Sequence, residues 1–368
     1  MSAASGSLNK ITIKISNNTI VNTDGKDQKN VKTPEEDKKT SIGVIFHWGL
    51  YSVPAFDDIK SAKRRKIQNG SEWYLKRLVE KGEYRPITGW KETQTYHQKH
   101  YGTKKYEDFA ADFKAEKFYS DSDVNAGSVN EWMNTAKSIG ATYVILTSKH
   151  HDGFCLWPTK TTNYNSMETG AKKDLLGIFR DAARRHGLKF GIYYSWSEFG
   201  FGVTKEYITK KMVPQVTELM TYNPDIWWFD GHWECKTKYS KDEISKLLDL
   251  MKTKNPNVEI NDRVADPKVK EDINYLGKST YRVYGDREIP KVKPNVKWEH
   301  INTIGYSWGR NKEQNISHYK SAENLYKIYQ DVRALNGNFL INIGPNSDGT
   351  ICNEETNVLL KFGTLLKQ

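Results

Sequence analysis

Thr142-Tyr-Val-Ile-Leu-Thr-Ser-Lys-His-His-Asp152 is an apolar, β-branched run that ends abruptly in two histidines and an aspartate. Its length and composition predict a strand over 142–147, and the polar ending marks where that strand stops. The same ending recurs along the chain. Ile42-Gly-Val-Ile-Phe46 runs into His47-Trp48-Gly49, Lys189-Phe-Gly-Ile-Tyr-Tyr194 into Ser195-Trp-Ser-Glu198, and Ile226-Trp-Trp-Phe229 into Asp230-Gly-His-Trp-Glu234. Val258-Glu-Ile260 runs into Asn261-Asp-Arg263, and Asn338-Phe-Leu-Ile-Asn-Ile343 into Gly344-Pro345. Amphipathic helical patterns lie between, at Ser128 to Ile139, Leu175 to His186 and Lys241 to Lys254. Strands alternating with helices predict βαβ units and a parallel sheet. His, Asp, Glu, Arg and Trp gathered at the C-terminal ends of several strands suit a (β/α)8-type TIM-like barrel, whose active site is built there. A doubly wound sheet would bind ligands at the same end. No Gly-x-Gly-x-x-Gly follows the first strand, however, and there is no phosphate-loop lysine, so the barrel is expected.

The chain of 368 residues suits one such barrel with trimmings. Residues 1–40 read as a polar N-terminal extension, with an edge strand at Ile11 to Ile15 and a charged linker from Asp24 to Thr40; residues 41–368 read as the catalytic barrel domain. The net charge is +11, but Lys and Arg are scattered apart from short runs such as Lys60-Ser-Ala-Lys-Arg-Arg-Lys66. That pattern is a solvated basic surface, and with no zinc-finger spacing or single-strand aromatic motif a nucleic-acid partner is not expected. The three cysteines, Cys155, Cys235 and Cys352, are far apart and form neither a disulfide framework nor a Cys-x-x-Cys pair. No metal and no cofactor are expected. The start lacks a basic-then-apolar leader and no apolar run reaches the length of a membrane span. The expectation is therefore no membrane partner and a cytoplasmic location by default. Sequons at Asn17, Asn69 and Asn315 matter only on a secretory route. The 21 Tyr and 11 Trp are numerous; flat rings stack on sugar faces and also fill cores, so they lean only modestly toward carbohydrate.

Asp230 is the first candidate for chemistry, since it emerges from a very apolar strand where a carboxylate can be held beside a bound ring. A cap or an ion-pair partner for an arginine explains it equally well. His150 and His151 read as metal ligands, as sugar-hydroxyl partners or as a structural strand-end pair. Adjacent residues on an extended chain point to opposite sides, which argues against one shared ion. His47, Glu72, Trp73 and Arg263 are types that bind vicinal diols, pack a sugar face or orient a carboxylate, though each alone is also an ordinary structural residue. There is no Gly-x-Ser-x-Gly elbow, and Cys155 lies between apolar neighbours that suggest a buried thiol.

Taken together, these motifs resemble the α-L-fucosidases of glycoside hydrolase family 29, over about residues 41–350. The resemblance rests on Phe46-His-Trp-Gly49, Tyr51-Ser-Val-Pro-Ala55, Glu72-Trp-Tyr74 and Ala141 to Phe154, with its Lys-His-His-Asp-Gly-Phe segment. It continues through Gly191-Ile-Tyr-Tyr-Ser195, Trp228-Phe-Asp230, Asn261-Asp-Arg263, Trp298-Glu299, Tyr306-Ser-Trp-Gly309 and Leu340 to Pro345. It implies a fucose pocket made by His47, Glu72, Trp73, His150, His151, Tyr194, Trp228 and Arg263. It implies Asp230 as nucleophile in a retaining mechanism, with a second carboxyl group as acid/base and a fucosylated glycan as substrate.

The chain departs from the family pattern at that second group. Many members carry a Glu in a Thr-Pro-Glu type stretch, where this chain has Gly285-Asp-Arg-Glu-Ile-Pro-Lys291 with Lys291 at the Glu position. Asp286 is the first choice for acid/base, Glu288 the second and Glu299 the third. The other expectations are a barrel without the usual C-terminal β-sandwich and a homo-oligomer as one possible state. The alternatives to an active fucosidase are a catalytically impaired fucose-binding protein and a retaining hydrolase for another sugar.

Overall fold

The computed structural model describes residues 40–83, 85–264 and 277–368, and the backbone of 15–16 and 19–20. The chain divides into two units, Met1–Lys39 and Thr40–Gln368. In the first, Ile15–Ser16 pairs antiparallel with Thr19–Ile20; the rest of the expected edge strand and nearly all of the linker lie outside the described residues.

The second unit holds eight parallel strands: β1 Ile42–Phe46, β2 Tyr143–Lys149, β3 Lys189–Ser195, β4 Ile226–Asp230, β5 Glu259–Ile260, β6 Arg282–Val283, β7 Trp298–Thr303 and β8 Asn338–Ile343. Their order is β5-β4-β3-β2-β1-β8-β7-β6, and the two ends are linked by a parallel bridge between Asn261 and Tyr281. This curled sheet is a (β/α)8 TIM-like domain. Strands β6 and β7 were not expected, because Arg282–Val283 is too short to give a pattern and Trp298-Glu-His-Ile-Asn-Thr303 carries polar residues throughout.

Helices cover the outside. Leu175–Arg185 starts at Asp174, whose side chain accepts from Gly177 N–H, which satisfies one of the helix's free donors. It buries Leu175, Leu176, Phe179, Ala182 and Ala183 on one face and ends at His186 before Gly187, whose φ of 71° suits the left-handed terminating position. Lys238–Lys254 and Ala322–Ala334 are capped in the same way by Thr237 and Ser321. The described chain ends with the helix Asn353–Leu365.

Strand parity sorts the side chains into two cores. Ile45, Tyr143, Ile145, Tyr193, Ile226, Trp228, Ile301 and Leu340 point into the barrel, while Val44, Phe46, Val144, Leu146, Ile192, Tyr194, Trp227 and Phe229 pack outward under the helices. Each such buried side chain contributes about 1.5–3 kcal/mol. Gly43 leaves room for the inward Tyr143: a Cβ there would stand 2.2 Å from its ring.

Candidate active site

The inward parity carried past the strand ends builds the site. Asp230 is two residues beyond the inward Trp228 on β4, and His47 is two beyond the inward Ile45 on β1. With residues from the loops they line a cavity of about 810 Å³ at the C-terminal mouth of the barrel. Of the residues expected in the site, His47, Glu72, Trp73, His150, His151, Trp228, Asp230, Arg263 and Asp286 line it.

Arg263 is the hub. Its Nη1 donates to Asp230 Oδ1 at 3.0 Å and its Nη2 to Asp286 Oδ1 at 2.6 Å. Its guanidinium carbon lies 4.7 Å from the Trp228 ring centre, a cation–π contact. Asp230 Oδ2 accepts from Tyr193 O–H at 2.9 Å and lies 3.7 Å from His151 Nε2. Burial works against the charged carboxylate, but opposing effects, the Arg263 charge foremost and the Tyr193 hydrogen bond among them, outweigh it and hold Asp230 down at about 2. Asp230 is therefore an anion with both oxygens oriented.

Three of the cavity imidazoles, those of His47, His150 and His151, are neutral. Burial pushes His47 and His151 down to about 4, against the pull of Asp230, and His150 well below its usual value. Asn342 gives its N–H to Trp308 O, so its Oδ1 accepts from His47 Nδ1 at 2.6 Å. Ser195 gives its proton to Ser197 O, so its Oγ accepts from His151 Nδ1 at 2.6 Å. Both rings thereby keep a bare Nε2. Among the described residues His150 Nδ1, which is buried, has no hydrogen-bond partner. The sequence argument that adjacent histidines diverge does not hold here: the pairing shifts between Thr147 and Lys149, and the chain leaves the strand, so both rings line the cavity with centroids 4.2 Å apart. Among the described residues no three His, Cys, Asp or Glu side chains converge as a metal site.

Glu72 and Trp73 come from a single turn, Ser71–Trp73. Glu72 is buried; its Oε1 accepts from Gly70 N–H at 2.6 Å and its Oε2 from Gly309 N–H at 3.2 Å. Burial raises it, with those backbone donors pulling the other way. Trp73 packs edge-on to His151 and near Phe199.

Three expected residues stand elsewhere. Tyr194 faces outward from β3, where its hydroxyl donates to Gln215 at 2.8 Å; its neighbour Tyr193 takes the place in the cavity. Glu288 is exposed and folds back onto Gly285 N–H at 3.1 Å. Glu299 starts β7, at the barrel floor, where it accepts from Tyr143 O–H at 2.5 Å and Trp228 Nε1 at 3.0 Å. Lys291 is exposed and does not line the cavity. Sequence reasoning missed Tyr193, Trp233, Tyr284 and Trp308, all of which line it. Trp308 had a signal, since it sits inside Tyr306-Ser-Trp-Gly309.

The cavity thus brings together an oriented anion, a shared arginine, neutral histidines and aromatic walls. The sequence model of the family "Alpha-L-fucosidase" matches residues 10–368. The chain belongs to the α-L-fucosidase family. Among curated relatives, "Putative alpha-L-fucosidase" of Caenorhabditis elegans is 33% identical over 85% of this chain and 60% of its own length. "Alpha-L-fucosidase" of Dictyostelium discoideum is 32% identical over 88% and 68%, and "Tissue alpha-L-fucosidase" of Homo sapiens 31% over 85% and 63%. The chain thus spans between 60% and 68% of the length of these relatives. Thermotoga maritima α-fucosidase superposes with a TM-score of 0.73 at 34% identity, covering 90% of this chain and 73% of that one. It has also been solved in complex with fucose.

Proposed function

We propose that this chain is a retaining α-L-fucosidase that releases terminal α-L-fucosyl residues from glycans. Asp230 attacks the anomeric carbon and the bond from that carbon to the leaving oxygen breaks. Asp286 gives its proton to that oxygen. In the second step Asp286 takes a proton from water, whose oxygen attacks the anomeric carbon and frees fucose and Asp230. The observation that carries this reading is the Arg263 bridge, in which one guanidinium reaches both acidic side chains, Asp230 and Asp286, at the cavity. Retention needs carboxyl groups only about 5–5.5 Å apart, and sharing one guanidinium is compatible with that spacing. Neutral His47, His150 and His151 and buried Glu72 would bind the sugar hydroxyls, and Trp228 and Trp73 its faces. The test is hydrolysis of an aryl α-L-fucoside. Turnover should vanish in Asp230→Ala and return with azide; undiminished turnover in that variant sinks the assignment. Tight fucose binding with no turnover on activated substrates would instead favour an impaired binder.

A further inference from the structure

We infer that the protein binds a small monovalent anion of the halide class between Arg287 and Lys320, behind the cavity wall. Arg287 Nε donates to Thr303 Oγ1 at 3.1 Å, and its guanidinium carbon lies 4.6 Å from the Trp308 ring centre. Its Nη1 and Nη2 are buried with no hydrogen-bond acceptor among the described residues. Those two nitrogens carry four of the guanidinium's donors, and leaving a buried cation's donors unmet costs several kcal/mol. The two acids whose charge reaches Arg287 are Asp286 and Glu72, and each is hydrogen-bonded to donors other than Arg287. Asp286 Oδ1 is taken by Arg263, and Glu72 by the backbone N–H groups of Gly70 and Gly309.

A second cation meets the first on the same residue. Lys320 Nζ donates to Thr303 O at 2.7 Å, so Thr303 carries Arg287 on its hydroxyl and Lys320 on its carbonyl. Burial pushes Lys320 down to about 7, Arg287 pushes it the same way, and no carboxylate among the described residues pulls it back. His300, nearby, is held at about 4 by burial and adds no charge. The backbone is anchored as well: Arg287 N–H donates to Ile301 O and Lys320 N–H to Ile304 O. Arg287 also sits at φ 63°, a left-handed conformation that a side-chain-bearing residue adopts only at a cost. Strain, unmet donors and paired cations in one place call for an anion. Burial of the donor atoms selects a small, singly charged one over a heavily hydrated phosphate or sulfate.

The full chain titrated with sodium chloride, with sodium gluconate holding ionic strength constant, should show a saturable excess in the chloride NMR linewidth that bromide displaces. Affinity should fall about tenfold or more in Arg287→Gln and in Lys320→Met. No saturable broadening, or broadening unchanged in both variants, overturns the proposal; Lys320→Met serves if Arg287→Gln does not fold. Trp308 lines the cavity and Asp286 precedes Arg287. Chloride should therefore also raise kcat/KM on an aryl fucoside, a consequence that rests on the fucosidase reading. A chain inactive on every fucoside would sink that reading, and the linewidth experiment would still decide the anion site.

Discussion

The phenolic hydroxyl of Tyr193 donates to Asp230 Oδ2 at 2.9 Å, while the adjacent Tyr194 bonds Gln215 on the far side of the sheet. A charge-assisted hydrogen bond of this kind contributes about 1.5–3 kcal/mol, and it orients the oxygen that Arg263 does not hold. Tyr193→Phe should lower kcat/KM on an aryl α-L-fucoside about 10- to 100-fold. Tyr194→Phe should leave it nearly unchanged. Equal losses in the two variants would contradict the arrangement.

The difference between these two tyrosines shows what the sequence could and could not tell. Six of the eight barrel strands, their chain order and their reactive ends are readable, because apolar runs ending in His, Asp or Arg leave a strong local signal. Parity is not. Both faces of a barrel strand are buried, so Phe190 to Tyr194 shows no polar–apolar alternation to say which tyrosine points inward. The register of Tyr193 with Trp228 fixes it, and register is a tertiary fact. Choosing among Asp286, Glu288 and Glu299 failed to resolve for a related reason. The three belong to a loop and a strand start whose placement depends on β6 and β7, the strands with the weakest sequence signal.

Arg263 is expected to act on both carboxylates at once. Lysine is a point charge and cannot bridge two acids with a planar fork, so Arg263→Lys should retain part of the activity and Arg263→Ala should lose about 100-fold or more in kcat. Among the groups that lower Asp230, Arg263 is foremost. The acid limb of the kcat/KM profile should therefore move to higher pH in Arg263→Ala. A profile of unchanged shape in that variant would show that Arg263 does not set the Asp230 charge.

The cavity histidines give a pH prediction with a definite sign. His47 and His151 fall to about 4 in the folded protein through burial, against about 6.5 unfolded. Between those values the unfolded chain binds more protons, so their contribution to stability rises with pH across this window and is lost on acidification. In histidine NMR titrations neither ring should protonate between pH 5 and 8, and fucose affinity should stay flat over that range. A midpoint near 6.5 for either ring would contradict the buried, neutral assignment.

Glu299 works in the opposite direction and decides the third candidate for the acid. It is 2% exposed, and burial raises it to about 7 despite the hydrogen bonds from Tyr143 and Trp228. A raised folded-state value means its stabilising contribution is full below the unfolded value of about 4.3 and is lost as pH rises through 7. Glu299→Gln stays neutral at every pH; its amide oxygen can accept from Trp228 Nε1 and its amide nitrogen can donate to the Tyr143 oxygen. Its stability relative to the parent protein should therefore grow by on the order of 3 kcal/mol between pH 4.5 and 7, then level off. This would appear in urea unfolding as a midpoint difference that widens across that window. Because Glu299 lies at the barrel floor and not in the cavity, the same variant should keep most of its turnover. A loss as deep as that of Asp230→Ala would make Glu299, and not Asp286, the second catalytic carboxyl group.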